Sequence, residues 1–174
     1  MSLTFELDPA MTPALRDGVL TLWTDVSNAG GAVGHVPPVT CEDVRPGLIR
    51  HLTAMAEGRM RLLVGHDGQG RVAATAFFAF NTHNPLMAHW VWLYTLMVHP
   101  RHQGAGSGRA LLAAAADAAR GFAGIDAVRL TCRGGLGLEH FYGSCGYQEV
   151  GRVPGAIRVG PGDDRDDITM LLTL

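Results

Sequence analysis

Val98-His99-Pro100-Arg101-His102-Gln103-Gly104-Ala105-Gly106-Ser107-Gly108-Arg109 decides the reading of this chain. The residues before it, Ala88 to Val98, are long, bulky and apolar, as a central strand requires. Pro100 stops the ladder, and the glycines let the backbone turn sharply and approach a ligand. Leu111, Leu112, Ala115, Ala119 and Phe122 then recur at helical spacing. A strand, a glycine loop and a helix start therefore follow in order. The unpaired N–H groups of that helix start and its positive dipole end make an anion site suited to a pyrophosphate.

The Rossmann pattern GxGxxG does not fit. Counted from Gly104, its third glycine falls on Arg109, and counting from Gly106 fails as well. That fingerprint also follows a first strand, whereas this loop follows the third. The spacing that fits is Gln103-x-x-Gly106-x-Gly108. An ordinary glycine-rich turn capping a core helix is the plain alternative.

Outward from the loop, the elements fall into place. Thr12-Pro13 opens a helix with Leu15, Val19, Trp23 and Val26 inward, ended by Asn28, Gly30 and Gly31. Thr40 caps a second helix with Val44, Leu48, Leu52, Met55 and Ala56 on its apolar side, and Pro46 predicts regular helix only from that point. Strands are predicted over 61–66 and 71–80, joined by the Asp67-Gly68 and Gly70 turn. In the strand over 88–98, Trp90, Trp92, Tyr94, Leu96 and Val98 share one face of an ideal pleat. Later elements are a strand over 127–132, a short helix over 138–144, and strands over 147–150 and 168–174. The acidic run Asp163-Asp164-Arg165-Asp166-Asp167 reads as a solvated turn, with a clamp for a cationic substrate as the alternative. This order is an α/β (α+β) layer architecture. Its 174 residues are read as a single domain, 1–174, with Met1-Ser2-Leu3 as a vector remnant.

Composition narrows the function. The chain is 47% hydrophobic with a mean hydropathy of +0.13, too apolar for disorder. Its apolar runs fall short of a membrane span, about 18 residues, so no membrane partner is expected. A net charge of −2 and a pI near 6.4 argue against nucleic acid. All 14 basic residues are arginine, which excludes a Walker A lysine and any lysine Schiff base. Cys41, Cys132 and Cys145 are odd in number and form no CxxC pair; with no signal-peptide pattern at the start, they fit a cytoplasmic location. His99-x-x-His102 lacks partners at ligand spacing, so no metal is expected.

The Gln103–Gly108 spacing resembles the pyrophosphate arm of the GNAT N-acetyltransferases. Leu138-Glu139-His140-Phe141-Tyr142-Gly143-Ser144-Cys145-Gly146-Tyr147 is similar to that family's late motif, a short helix carrying Phe-Tyr and leading into a strand. The resemblance implies a central mixed, mostly antiparallel sheet flanked by helices, and acetyl-CoA as co-substrate. It places the cofactor on Leu96, Met97 and Val98, through a splay after the long strand, and on Gln103, Gly104, Ala105, Gly106, Ser107, Gly108 and Arg109. It maps the family's acid, which protonates the leaving thiolate, onto Tyr142. A backbone N–H near Val98 would hold the oxyanion. For Tyr142 the plain alternative is a core aromatic.

A subgroup resemblance extends further. Leu22-Trp23-Thr24-Asp25-Val26-Ser27-Asn28-Ala29-Gly30-Gly31-Ala32-Val33-Gly34 and Gly146–Gly155 followed by Pro161-Gly162-Asp163 are similar to segments of the tabtoxin-resistance acetyltransferases. Two positions depart from that pattern: Thr131 stands for its aspartate and Ala156 for its tyrosine, both towards the substrate side. The expected activity is direct acetyl transfer to a primary amine of a small molecule, such as a toxin or antibiotic. An idle acyl-CoA-binding sensor is the rival. The Trp23 to His35 segment and the second helix are the expected acceptor wall. Glu139, His140, His89 and Tyr94 are the base candidates, beside a water chain. A homodimer is an option.

Overall fold

The structure, a computed structural model, describes residues 3–174; Met1 and Ser2, the start of the expected remnant, lie outside them. Its centre is a seven-stranded sheet: β1 (Thr4–Leu7), β2 (Met60–His66), β3 (Val72–Phe80), β4 (Trp90–Val98), β5 (Ala127–Arg133), β6 (Gln148–Gly160) and β7 (Asp163–Thr173), in the order β1-β2-β3-β4-β5-β7-β6. Every neighbouring pair is antiparallel except β4 with β5. That exception follows from the helix between them, since a parallel return needs a crossover.

Two layers of helix cover the sheet. On one face lie α1 (Pro13–Asn28) and α2 (Cys41–Ala56), which bury Val19, Leu22, Val44 and Leu48 against Leu62, Val64, Phe77 and Met97. On the other lie α3 (Ser107–Arg120) and α4 (Leu138–Gly143); Leu111, Leu112, Ala115 and Ala119 pack there against Phe78, Val91, Val128 and Leu130. Both first-face helices start as expected. The Thr12 hydroxyl accepts from the Leu15 N–H, and Thr40 with Asp43 forms a capping box; such a cap is worth about 1 kcal/mol.

Four expectations change. The acidic run is no turn: Asp163 to Asp167 open β7, and Asp164 pairs with Arg158 and Asp166 with Arg152. Alternating arginine and aspartate across two neighbouring strands satisfies a polar ladder that looks like loop composition. Pro46 does not delay α2: the helix begins at Cys41 and carries the proline inside it, giving up the one N–H bond that would return to the Glu42 carbonyl. β1 has no counterpart among the expected elements, since four residues are too few for periodicity to register. Finally, Trp90, Trp92 and Tyr94 share a face with Phe77, whereas Leu96 and Val98 pack on the α3 side. The cause lies within β4 itself.

Candidate functional site

β4 is paired on both edges only at its start. Trp90, Val91 and Trp92 match Ala127, Val128 and Arg129 of β5, and there the parallel pairing ends. The Arg129 guanidinium lies 4.3 Å over Trp90 and 4.8 Å over Trp92, stacked on both indoles at the last rung. Beyond it the two strands splay. On the other edge, pairing with β3 is shifted: Tyr94 faces Phe77 but Met97 faces Thr75, so Thr95 and Leu96 stand against the single residue Ala76. This β-bulge reverses the alternation, and it explains why Leu96 and Val98 leave the face of Trp90. Thr95 takes φ +50°, a sterically costly conformation for a β-branched residue. The Thr75 hydroxyl holds it by donating to the Thr95 carbonyl at 3.2 Å.

The chain leaves β4 at His99 and makes a short 3₁₀ turn at Pro100–His102. The Gln103 amide donates back to the Val98 carbonyl at 2.8 Å, so this side chain ties the loop to the strand end. Gly104 and Gly106 have φ +79° and +83°, with open space where a Cβ would stand. Gly106 is the N-cap of α3, and no side chain among the described residues caps that start; the Ala110 N–H is the one that bonds the Gly106 carbonyl. The N–H groups ahead of it face out, as an anion cradle requires. Gly108 serves packing instead: a Cβ there would come within 3.1 Å of Phe141. The Arg109 guanidinium donates to the Ser144 carbonyl at 2.8 Å and its hydroxyl at 3.1 Å, which ties α3 to the end of α4.

That tie sets α4 beside the splay. Tyr142 is buried on α4, with its ring 5.8 Å from that of Tyr147. It lines a cavity of about 280 Å³ with Leu93, Tyr94, Thr95 and Leu96 of β4, Leu130 and Thr131 of β5, and Trp23 to Gly34 residues of the expected acceptor wall. Burial, with Cys132, Tyr147 and Cys145 nearby, pushes its hydroxyl well above the ordinary tyrosine range, so it stays protonated. The Trp23 indole N–H donates to the Val33 carbonyl at 2.8 Å and locks the wall. A second hollow of about 290 Å³ shares Ala32, Gly34 and Thr131 with the first and runs on to Arg133 and Arg158.

Of the base candidates, Tyr94 alone lines the cavity. Glu139 and His140 sit on α4, and His89 precedes β4. The residue missed in the sequence is His51. Its Nε2 lies 2.9 Å from the Thr95 hydroxyl, and its ring meets Trp23 and Phe77 edge-on at 5.3 and 4.7 Å. Gly47, one helical turn earlier, lets Trp23 approach to 3.1 Å of where its Cβ would be, but a glycine at that spacing does not mark His51 in the sequence.

The model of the acetyltransferase (GNAT) family matches residues 37–147, more than half of the chain. The chain belongs to the GNAT acetyltransferase family. No curated relative matches it. Among solved structures, it is similar to a candidate phosphinothricin N-acetyltransferase, with 21% identity, TM-score 0.79, and 99% of each chain covered. It is also similar to the ribosomal-protein-alanine N-acetyltransferase of Brucella melitensis, with 21% identity, TM-score 0.77, and 99% and 100% of the two chains covered. A third is an acetyltransferase candidate from Salmonella typhimurium solved with acetyl-CoA, with 20% identity, TM-score 0.76, and 100% and 95% covered. At these identities the likeness is one of fold. It bears out the expected GNAT architecture, and the enzyme class is that of an acetyltransferase. The finer likeness to tabtoxin-resistance enzymes stays a resemblance.

Proposed function

We propose that this GNAT protein transfers the acetyl group of acetyl-CoA to a primary amine of a small molecule, by direct attack and without a covalent enzyme intermediate. One observation carries the reading: β4–β5 pairing ends at Trp92, and the β4 residues beyond it line the cavity of Tyr142 before the chain runs on to the uncapped α3 start. The fit to a CoA thioester rests on that path. Leu96, Met97 and Val98 lie where β5 has left the edge of β4, so their main chain can receive pantetheine as an added strand would. The Met97 side chain is buried on the α1–α2 face, which leaves its backbone as the contact. Gly104 to Gly108 would cradle the pyrophosphate with backbone N–H groups, Gln103 would brace that loop through its side-chain bond to the Val98 carbonyl, and Arg109 would serve by holding α3 to α4. Tyr142 would supply the proton to the leaving sulfur. The burial that raises its hydroxyl also raises the basicity of a thiolate beside it, so the transfer is not set against it.

The acceptor would enter between the Trp23–Gly34 wall and β5, from the hollow that reaches Arg133. The resemblance to tabtoxin-resistance enzymes favours a toxin or antibiotic amine. The test is free-CoA release against a panel of amines and antibiotics. Turnover with a small primary amine is expected. Tight acetyl-CoA binding with no thioester cleavage for any amine would overturn catalysis in favour of an acyl-CoA sensor.

A further inference from the structure

We infer that Thr95 and His51 form the proton exit for the acceptor amine. Thr95 takes the amine proton on its hydroxyl oxygen while passing its own proton to His51 Nε2. This rests on the acetyltransferase reading above and adds the base that it lacks.

The tautomer follows from the partners. His51 Nδ1 lies 3.0 Å from the Gly47 carbonyl, which can only accept, so Nδ1 carries the hydrogen. Nε2 of the neutral ring is then bare and accepts from the Thr95 hydroxyl at 2.9 Å. Thr95 lines the cavity and cannot turn freely, since its backbone is bulged and its carbonyl held by Thr75. The hydroxyl is thus a fixed relay between cavity and imidazole, kept in a costly conformation beyond the last β4–β5 rung at Trp92. Strain of this kind persists where the surroundings over-determine it.

The ring's surroundings favour a base that is neutral before the reaction. Trp23 of α1, Phe77 of β3 and Thr95 of β4 are uncharged. His35 meets the same Trp23 indole edge-on at 5.9 Å. Burial first, and Arg50 on α2 as well, lower the His51 pKa, while the Gly47 carbonyl opposes them. In the reaction the amine nitrogen bonds to the acetyl carbon and the carbon–sulfur bond breaks. Before this the bound ammonium gives one proton to Thr95 as Thr95 passes its own to His51; after it the nitrogen gives its second surplus proton to solvent, and the sulfur takes its proton from Tyr142. Solvent afterwards removes the proton from His51 and restores that of Tyr142. Thr95 touches the substrate; His51 acts through it.

Two experiments test the relay. The first is a ¹⁵N-imidazole spectrum of the free protein at neutral pH, which should show His51 as the Nδ1–H tautomer. An Nε2–H tautomer overturns the proposal, because that nitrogen could not take a proton. The second is a pH profile of kcat/KM for CoA release, with butylamine, spermidine and glutamate as acceptor probes. His51→Gln and Thr95→Val should each lose about 10²-fold at pH 7, the low end for a general base. At pH 10, where much of the amine is already neutral, the losses should shrink to a few-fold. Thr95→Ser, which keeps the hydroxyl, should stay within a few-fold of the parent throughout. Calorimetric acetyl-CoA affinity should match the parent in the variants, which controls for folding. Parent-like rates in His51→Gln, equal losses at both pH values, or no rescue by serine would each overturn the relay alone. A parent that cleaves no thioester with any amine overturns the acetyltransferase reading, and the relay with it.

Discussion

β4 divides at Trp92. Val91 and Trp92 are paired on both edges, Trp90 is paired with β5, and both tryptophans lie under one arginine, whereas the stretch from Leu93 to Val98 has lost β5 and is bulged against β3. The first half closes the sheet. The second half leaves backbone polar groups, a strained threonine and a cavity on one short stretch. Unpaired backbone groups seek partners, so the incomplete half is where the proposed pantetheine strand would complete the sheet. The contrast predicts that damage to the released half falls on binding and turnover, and damage to the paired half on stability.

The largest effect is expected at Gly106, beyond the released half. Gly106→Val would place a branched side chain where the backbone must approach the pyrophosphate, at φ +83°. Acetyl-CoA affinity should fall about 10³-fold in calorimetry, near 4 kcal/mol at roughly 1.4 kcal/mol per tenfold. Asparagine tolerates the left-handed conformation, so Gly106→Asn separates obstruction from strain. Parent-like affinity in Asn with loss in Val would show that conformation, not close approach, fixes the glycine. Parent-like affinity in Val would move the pyrophosphate elsewhere.

Next is Tyr142→Phe. Ring and packing against Tyr147 remain and only the hydroxyl goes. kcat should fall about 10²-fold while acetyl-CoA affinity holds, since the proton moves only as the thiolate leaves. Equal kcat would leave Tyr142 as a core aromatic.

The same division separates what the sequence discloses from what it hides. The paired half, the loop and α3 rest on local chemistry: bulky alternation, proline, spaced glycines and a helical apolar face. All of these are visible in one dimension, and so is Tyr142 through its motif. Thr95 is different. Nothing in Leu93-Tyr94-Thr95-Leu96 marks a bulge, which arises because Ala76 faces two residues and Thr75 bonds the extra carbonyl. His51 is hidden for the same reason, as its partner Thr95 lies on a distant strand. The arginine–aspartate ladder of β6 and β7 misled because each strand alone reads as polar turn.

On the paired side, Val91 is wholly buried against the α3 layer. Val91→Ala should cost on the order of 2 kcal/mol of unfolding free energy, from lost burial and the cavity left behind. Chemical denaturation measures it. kcat should stay near that of the parent, because the substitution lies before the splay. A large fall in kcat with unchanged stability would erase the distinction between the halves.

The smallest effect on stability is also the sharpest test, because stability and turnover should separate. Thr95 carries a left-handed φ of +50°, where an L-residue pays about 1–2 kcal/mol and glycine does not. Thr95→Gly therefore relieves strain but loses the hydroxyl bond to His51, a contact worth about 1 kcal/mol. Glycine also widens the unfolded ensemble, which opposes the gain. Summed, the gain of about 1–2 kcal/mol, the loss of about 1 and the further cost of about 0.4–1 leave stability within about 1 kcal/mol of the parent. A residue retained only for the fold would not behave so; its loss would cost stability. Turnover at pH 7 should meanwhile drop, and Thr95→Ala separates the causes: it removes the same hydroxyl but keeps a side chain at the strained φ. Denaturation midpoints and kcat on the two variants decide the matter. If both lose stability in step with activity, Thr95 is a structural residue of the bulge. If glycine holds stability while both slow turnover, the strain is maintained for what the hydroxyl does at the cavity.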